Sequence, residues 1–170
     1  MESRAANNHA TWYDVQVLAF ALFSGDLDTA CQVSQAVPKV RIRTQIASDG
    51  SLPRELVRTR ALHYCDFALQ AFAELATLAS RVDVNLWDCR SPTTGAGIRD
   101  AVRFLAPYWS GQQWPYPEIS HVDAFQENAQ TLQRAISAYP HEGHAAVLSQ
   151  LSAGRTDFEL LRLRLGYWPD

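Results

Sequence analysis

A chain of 170 residues, 47% apolar and 19% charged with a net charge of −3, has the size and make-up of one globular domain and excludes long disordered tracts. The negative balance gives no general attraction for nucleic acid or for an anionic membrane surface. The longest unbroken apolar run, VLAFALF at 17–23, is far shorter than the roughly 20 residues that a spanning helix needs.

Residues 1–10 have no apolar stretch behind their charges, so they do not read as a secretory signal, and localisation stays open. A helix is expected over 11–24, with Thr11 as N-cap, Asp14 three places on and Gly25 closing it. From Val17 to Phe23 it is apolar on every side, which predicts enclosure all round. A second helix, 28–46, should bend at Pro38, because proline lacks an amide donor and crowds the preceding turn. SDGSLP at 48–53 reads as a turn.

A third helix is expected over 58–81. Its polar residues His63, Asp66, Gln70, Glu74, Thr77 and Arg81 recur three or four apart, which predicts one narrow stripe facing water. A loop at 88–97 precedes a helix that ends near Ala106, before SGQQWPYP. Helices near 119–138 and 143–152 follow, and FELLRLRLGYW at 158–168 fits a short strand or a last helix. Sustained β alternation is missing, so the expected class is all-α, with helices packed between other helices in layers. Cys31, Cys65 and Cys89 lack CxxC spacing and read as small buried hydrophobes. Lys39, Arg41, Arg43, Arg54, Arg58 and Arg60 form a locally positive strip, opposed by Asp49 and Glu55, that would suit an anionic ligand.

Chemistry-bearing residues fall in two places. If the first helix begins near His9, then His9, Trp12, Tyr13 and Gln16 share one face, with Asn7 and Asn8 just ahead. Amides and an imidazole can hydrogen-bond hydroxyls and carboxylates, and aromatic faces can stack on sugar rings; capping and core packing would use the same residues. In RELVRTRALHY at 54–64, Arg60 and Tyr64 are four apart, with Arg58 and Arg54 nearby. A guanidinium about 4 Å from a phenolate favours it by up to about 4 kcal/mol at an effective dielectric of about 20.

NNH followed by an aromatic helix, QI.SDGSLPRELVRTRALHY, FLAPYW and WPY.EI together resemble the alginate lyase domain family over about residues 7–120. The resemblance implies an incomplete α/α toroid of antiparallel helices, and β-elimination on an anionic polysaccharide, alginate or another polyuronate, with no metal or cofactor. It implies catalytic roles for Asn8 and His9 at the uronate carboxylate, for Tyr64 as proton shuttle and for Arg58 or Arg60 beside it. Asn7, Trp12, Tyr13, Gln16 and Gln45 would contact substrate. Members of the family are longer, with several helices ahead of the NNH motif, and are typically periplasmic or secreted. Residues 1–170 are therefore expected to form a single domain that lacks those helices and is weak or inactive by itself.

Two other functions compete: a non-catalytic, carbohydrate-binding helical remnant, and a glycoside hydrolase drawing two carboxylates from Asp14, Glu55 and Asp66. Trp109, Trp114 and Tyr116 would suit a sugar cleft or helix packing. HEGH, with His141 and His144 three apart, falls short of a metal-ligand set.

Overall fold

The structure, a computed structural model, describes residues 2–120 and 123–153, excepting the side chains of 124–127. Helix α1 (Asn8–Ser24) begins one turn earlier than expected, with Asn7 as an extended N-cap. Thr11 consequently lies inside the helix, buried, and its hydroxyl donates to Gln45 Oε1 at 3.0 Å. Asp14 is no cap residue either. It accepts from Arg41 Nε at 2.7 Å and Nη2 at 3.0 Å, and Arg41 also donates to the Ser3 carbonyl, tying the N-terminal turn to the helix. Gly25 closes α1 in the left-handed region, as expected.

Helix α2 (Leu27–Val37) is capped by Asp26, whose carboxylate accepts from the Thr29 amide. Beyond Val37 the chain widens into a π-helical stretch, Pro38–Ile42, and then a last turn, α3 (Arg43–Gln45). The expected bend at Pro38 thus takes the form of a wider turn. A turn at 48–52, in which Gly50 has φ 83°, leads into the single helical turn α4 (Pro53–Leu56).

The central helix is α5 (Ala61–Ala79). It starts three residues later than the sequence pattern predicts because Thr59 and Arg60 are held in extended pairing with residues 117–119. The Ile119 amide donates to the Thr59 carbonyl, and the Ala61 amide to the Pro117 carbonyl. Ala68, Ala71, Ala73 and Ala76 are fully buried, and such small side chains let α1, α2, α6 (Ile98–Trp109) and α7 (Ala124–Ala138) approach α5 closely.

The polar stripe of α5 faces water only in part: Arg81, past the helix end, is exposed, while the residues on the helix are half-buried or buried. Asp66 is fully buried and accepts from the Trp109 indole and the Asn128 amide, each at 2.9 Å, while Glu74 pairs with Arg134 at 2.7 Å. At Asp66 and Glu74 the stripe forms a seam between α5 and the later helices α6 and α7. Helix α6 runs past the expected stop at Ala106, through Pro107, to Trp109. The donor that Pro107 lacks would have reached the carbonyl of exposed Arg103, where water can substitute. Helix α8 (His144–Ser152) packs on α7. The segment 158–168 lies outside the described residues. Among the described residues no helix is long and apolar enough to cross a membrane.

The expectation that α1 is enclosed all round fails at its C-terminal end, where Phe20 is 71% and Phe23 91% exposed. Helices α2 and α5 cover the other faces of α1, and among the described residues nothing covers this one. Phe23→Ser should therefore change stability by no more than about 0.5 kcal/mol, as for other surface positions, and a melting curve should move by no more than about 2 °C. Of the cysteines, Cys65 is buried as expected, and desolvation pushes its thiol well above the ordinary range, whereas Cys31 and Cys89 are only half-buried.

Candidate active site

Helices α1 and α5 lie side by side, which sets the first turns of α1 against the first two turns of α5. Between them opens a cleft of about 480 Å³, within the usual size for a small-ligand site. Asn8, His9, Trp12, Tyr13 and Gln16 line it from α1, and Tyr64 and Phe67 from α5; Glu2 adds a rim from the N-terminal turn.

Asn8 is buried, and its side chain is fixed. Its Nδ2 donates to Glu55 Oε2 at 2.9 Å, and its backbone amide donates to Glu55 Oε1 at 2.8 Å. Glu55 thereby caps the opening turn of α1, a task the Asn7 side chain does not perform. His9 is open to solvent, its side chain 54% exposed and Nδ1 3.8 Å from Glu2. Trp12 is half-buried; its ring packs on Phe67 with centroids 4.9 Å apart, and its indole N–H is taken by the Phe67 carbonyl at 3.2 Å. It can offer a ligand its ring face and not its donor. Tyr13 and Gln16 are exposed.

Tyr64 is half-buried in the cleft wall. The Arg58 guanidinium carbon sits 3.9 Å from the centre of its ring, a cation–π contact, and Arg58 Nη1 is 3.8 Å from Glu55 Oε2. Arg60 points elsewhere, its Nε donating to Ser120 Oγ at 2.9 Å. The helical spacing that favoured Arg60 does not apply, because Arg60 is the N-cap of α5 and not part of its first turn. Gln45 is buried beneath α1, with Oε1 bonded to Thr11 and Nε2 without a partner among the described residues, and it is not among the cleft-lining residues; nor is Asn7. The positive strip is also broken up, since Arg41 is engaged with Asp14, Arg58 with Tyr64 and Glu55, and Arg60 with Ser120.

Sequence reasoning weighed Glu55 only as a hydrolase carboxylate and missed its hold on Asn8, and it missed Phe67 and Glu2 as cleft-lining residues. Phe67 stands three places after Tyr64 on α5, a spacing that could have placed it there. The carboxylates that a hydrolase would need are engaged otherwise: Asp14 with Arg41, Glu55 with Asn8 and Asp66 with Trp109 and Asn128. Trp109 belongs to the core, and Trp114 is wedged between Tyr108 and Tyr116, at 4.8 and 5.0 Å, away from the cleft-lining set. His144 is buried, which pushes its imidazole below the ordinary value, and it lies 3.4 Å from Glu142. Among the described residues no group of three or more His, Cys, Asp or Glu could hold a metal ion.

Chemically, the cleft offers a carboxamide, an imidazole and a phenol around space for a sugar-sized ligand, with a guanidinium on the phenol ring. The alginate lyase family model matches residues 1–114. A polysaccharide lyase of Stenotrophomonas maltophilia (strain K279a) is 43% identical over 77 residues, which are 45% of this chain and 23% of that protein. The solved structure of an alginate lyase from Bacteroides ovatus is similar with a TM-score of 0.82 and 37% identity, covering 88% of this chain and 40% of that one. The described residues are all-helical apart from turns and loops, and their arrangement, shared with that enzyme, is consistent with an α/α toroid. The chain spans between about a quarter and two-fifths of the length of these relatives.

Proposed function

The chain belongs to the alginate lyase family, and from that premise we propose that its cleft takes an acidic sugar unit of a polyuronate such as alginate and breaks the bond at O4 by β-elimination. The described residues share one hydrophobic core, and we treat the chain as a single domain of this family. One observation carries the reading. His9 and Tyr64, far apart in sequence, line the same cleft, with Asn8 beside the first and Arg58 on the ring of the second.

Elimination needs the C5 proton removed next to a carboxylate. Asn8 and His9 donate hydrogen bonds to that carboxylate and hold the charge that develops on it as the enediolate forms, a role in which each preorganised donor is worth about 10²–10³ in rate. The C5 proton passes to His9 for one epimer and to Tyr64 for the other. The C–H electron pair becomes the C4–C5 double bond, the C4–O4 bond breaks, and the leaving O4 takes a proton from Tyr64. Water is not consumed. Gln16, Trp12 and Tyr13 supply polar and stacking contacts along the sugar.

Turnover by this chain is slow in this reading. His9 is exposed and the cleft is open, so water competes for the donors, and small errors in placement cost about 100-fold in rate per ångström. Incubating purified protein with oligouronates and following ultraviolet absorbance of unsaturated ends tests this. Slow growth of absorbance is expected. A rate typical of efficient enzymes, about 10 per second or more, would contradict the slow turnover, and no growth at any protein concentration would show the chain to be inactive by itself.

The two arginines separate cleanly. Arg58→Ala should lower kcat by about 10- to 100-fold, because the phenol ring loses the group that packs on it, whereas Arg60→Ala should stay within about 3-fold. Steady-state rates of the two variants check this; the reverse order would reassign the arginine.

A further inference from the structure

We propose that Glu55 is the positioning residue of the site: its one carboxylate sets both the Asn8 carboxamide and the Arg58 guanidinium, and so joins the two halves of the elimination machinery. The inference rests on the lyase reading above for its catalytic consequence, but the positioning itself stands on geometry.

Glu55 is 2% exposed, and a carboxylate is seldom buried unless it is fully engaged. Both of its oxygens are. Oε1 accepts the backbone N–H that opens α1, and Oε2 accepts Asn8 Nδ2 while lying 3.8 Å from Arg58 Nη1. It is carried on the short turn α4, where its own amide is bonded to the Leu52 carbonyl at 2.9 Å, so its backbone is anchored.

A carboxylate can only accept hydrogen bonds, so it fixes which way the Asn8 amide points. The nitrogen must face Glu55, because the opposite orientation would set the amide oxygen against a negative oxygen. One Nδ2 proton is used by Glu55 and the second remains for a ligand. The same Oε2 draws Arg58 into the place where its guanidinium lies over Tyr64. Loss of this charge therefore reaches both the donor at the substrate carboxylate and the group that packs on the phenol.

Glu55→Gln is close to isosteric. It keeps an oxygen for the α1 amide but presents an NH₂ toward Asn8 Nδ2 and Arg58, both donors. We expect kcat to fall about 30- to 100-fold with KM changed less than about 3-fold, since Asn8 is misoriented rather than removed. Glu55→Asp keeps the charge at shorter reach and should recover at least about 5-fold over the Gln variant, even though it fills the buried space less well and melts lower. A purely structural role predicts the opposite order, with activity following melting temperature, and that order would overturn the proposal. Should the Gln variant fail to fold, the Asp variant carries the test, with an expected fall of about 10-fold in kcat and none expected in a structural role at a temperature where it is folded.

The Asn8 side-chain amide resonances, followed by NMR, give a readout independent of turnover. They should be slow to exchange in the unsubstituted protein and lose that protection in Glu55→Gln. Unchanged resonances would overturn the positioning. Absence of unsaturated product from the unsubstituted chain would instead count against the lyase reading, and the resonances would still decide what Glu55 holds.

Discussion

Tyr64→Phe is expected to lower kcat by about 10³-fold or more while leaving the fold and oligouronate binding nearly intact. The substitution removes one oxygen from a half-buried ring at the cleft wall and leaves the ring on which Arg58 rests. In the proposed reaction that oxygen protonates the leaving O4 and, for one epimer, also takes the C5 proton. Proton transfer by one positioned group contributes about 10²–10⁴, and a group that serves two steps belongs in the upper part of that range. Steady-state kinetics with a melting curve and a binding titration on the same preparation check the result. A non-catalytic carbohydrate-binding module with the same cleft would lose neither fold nor binding and would show no turnover to lose, so the fall in kcat separates the two functions.

Asp66→Ala is expected to cost about 3–5 kcal/mol of stability. The carboxylate is fully buried at the seam of α5, α6 and α7 and accepts from the Trp109 indole N–H and the Asn128 amide, each at 2.9 Å. Its removal leaves two buried donors without these acceptors, at roughly 1–3 kcal/mol each, and opens a small void. For a protein of this size that corresponds to a fall in melting temperature of about 10 °C. Trp109→Phe, which removes one donor and leaves the carboxylate with Asn128, should cost less than the alanine change at 66. Thermal unfolding of both variants checks the order, and a near-neutral Asp66→Ala would show that the seam is not held by this residue.

What could be read from the residues alone was what depends on near neighbours in the chain. The face of α1 carrying His9, Trp12, Tyr13 and Gln16 follows from helical spacing, and the closing glycine of α1 and the bend at Pro38 follow from backbone chemistry. The start of α5 did not follow, because Thr59 and Arg60 are held by residues 117–119, and with it went the choice between Arg58 and Arg60. The polar stripe on α5 has the period of a solvated face, yet its partners, Trp109, Asn128 and Arg134, come from helices much later in the chain. The bond between Glu55 and Asn8 stayed hidden for a related reason: a helix of one turn has no periodicity to show which way its carboxylate points. The enclosure expected for α1 rested on its apolar residues alone, and Phe20 and Phe23 are bare at the described surface.

In the proposed reaction the cleft cleaves by elimination and not by hydrolysis. The direct measurement is to cleave an oligouronate in water enriched in ¹⁸O and weigh the products. Elimination gives products that carry a C4–C5 double bond and no solvent oxygen beyond the slow exchange that an uncleaved oligouronate shows at its reducing end, formed by the unsubstituted chain and lost in Tyr64→Phe. Saturated products bearing one ¹⁸O, or unsaturated products that form equally well without the Tyr64 hydroxyl, would contradict it.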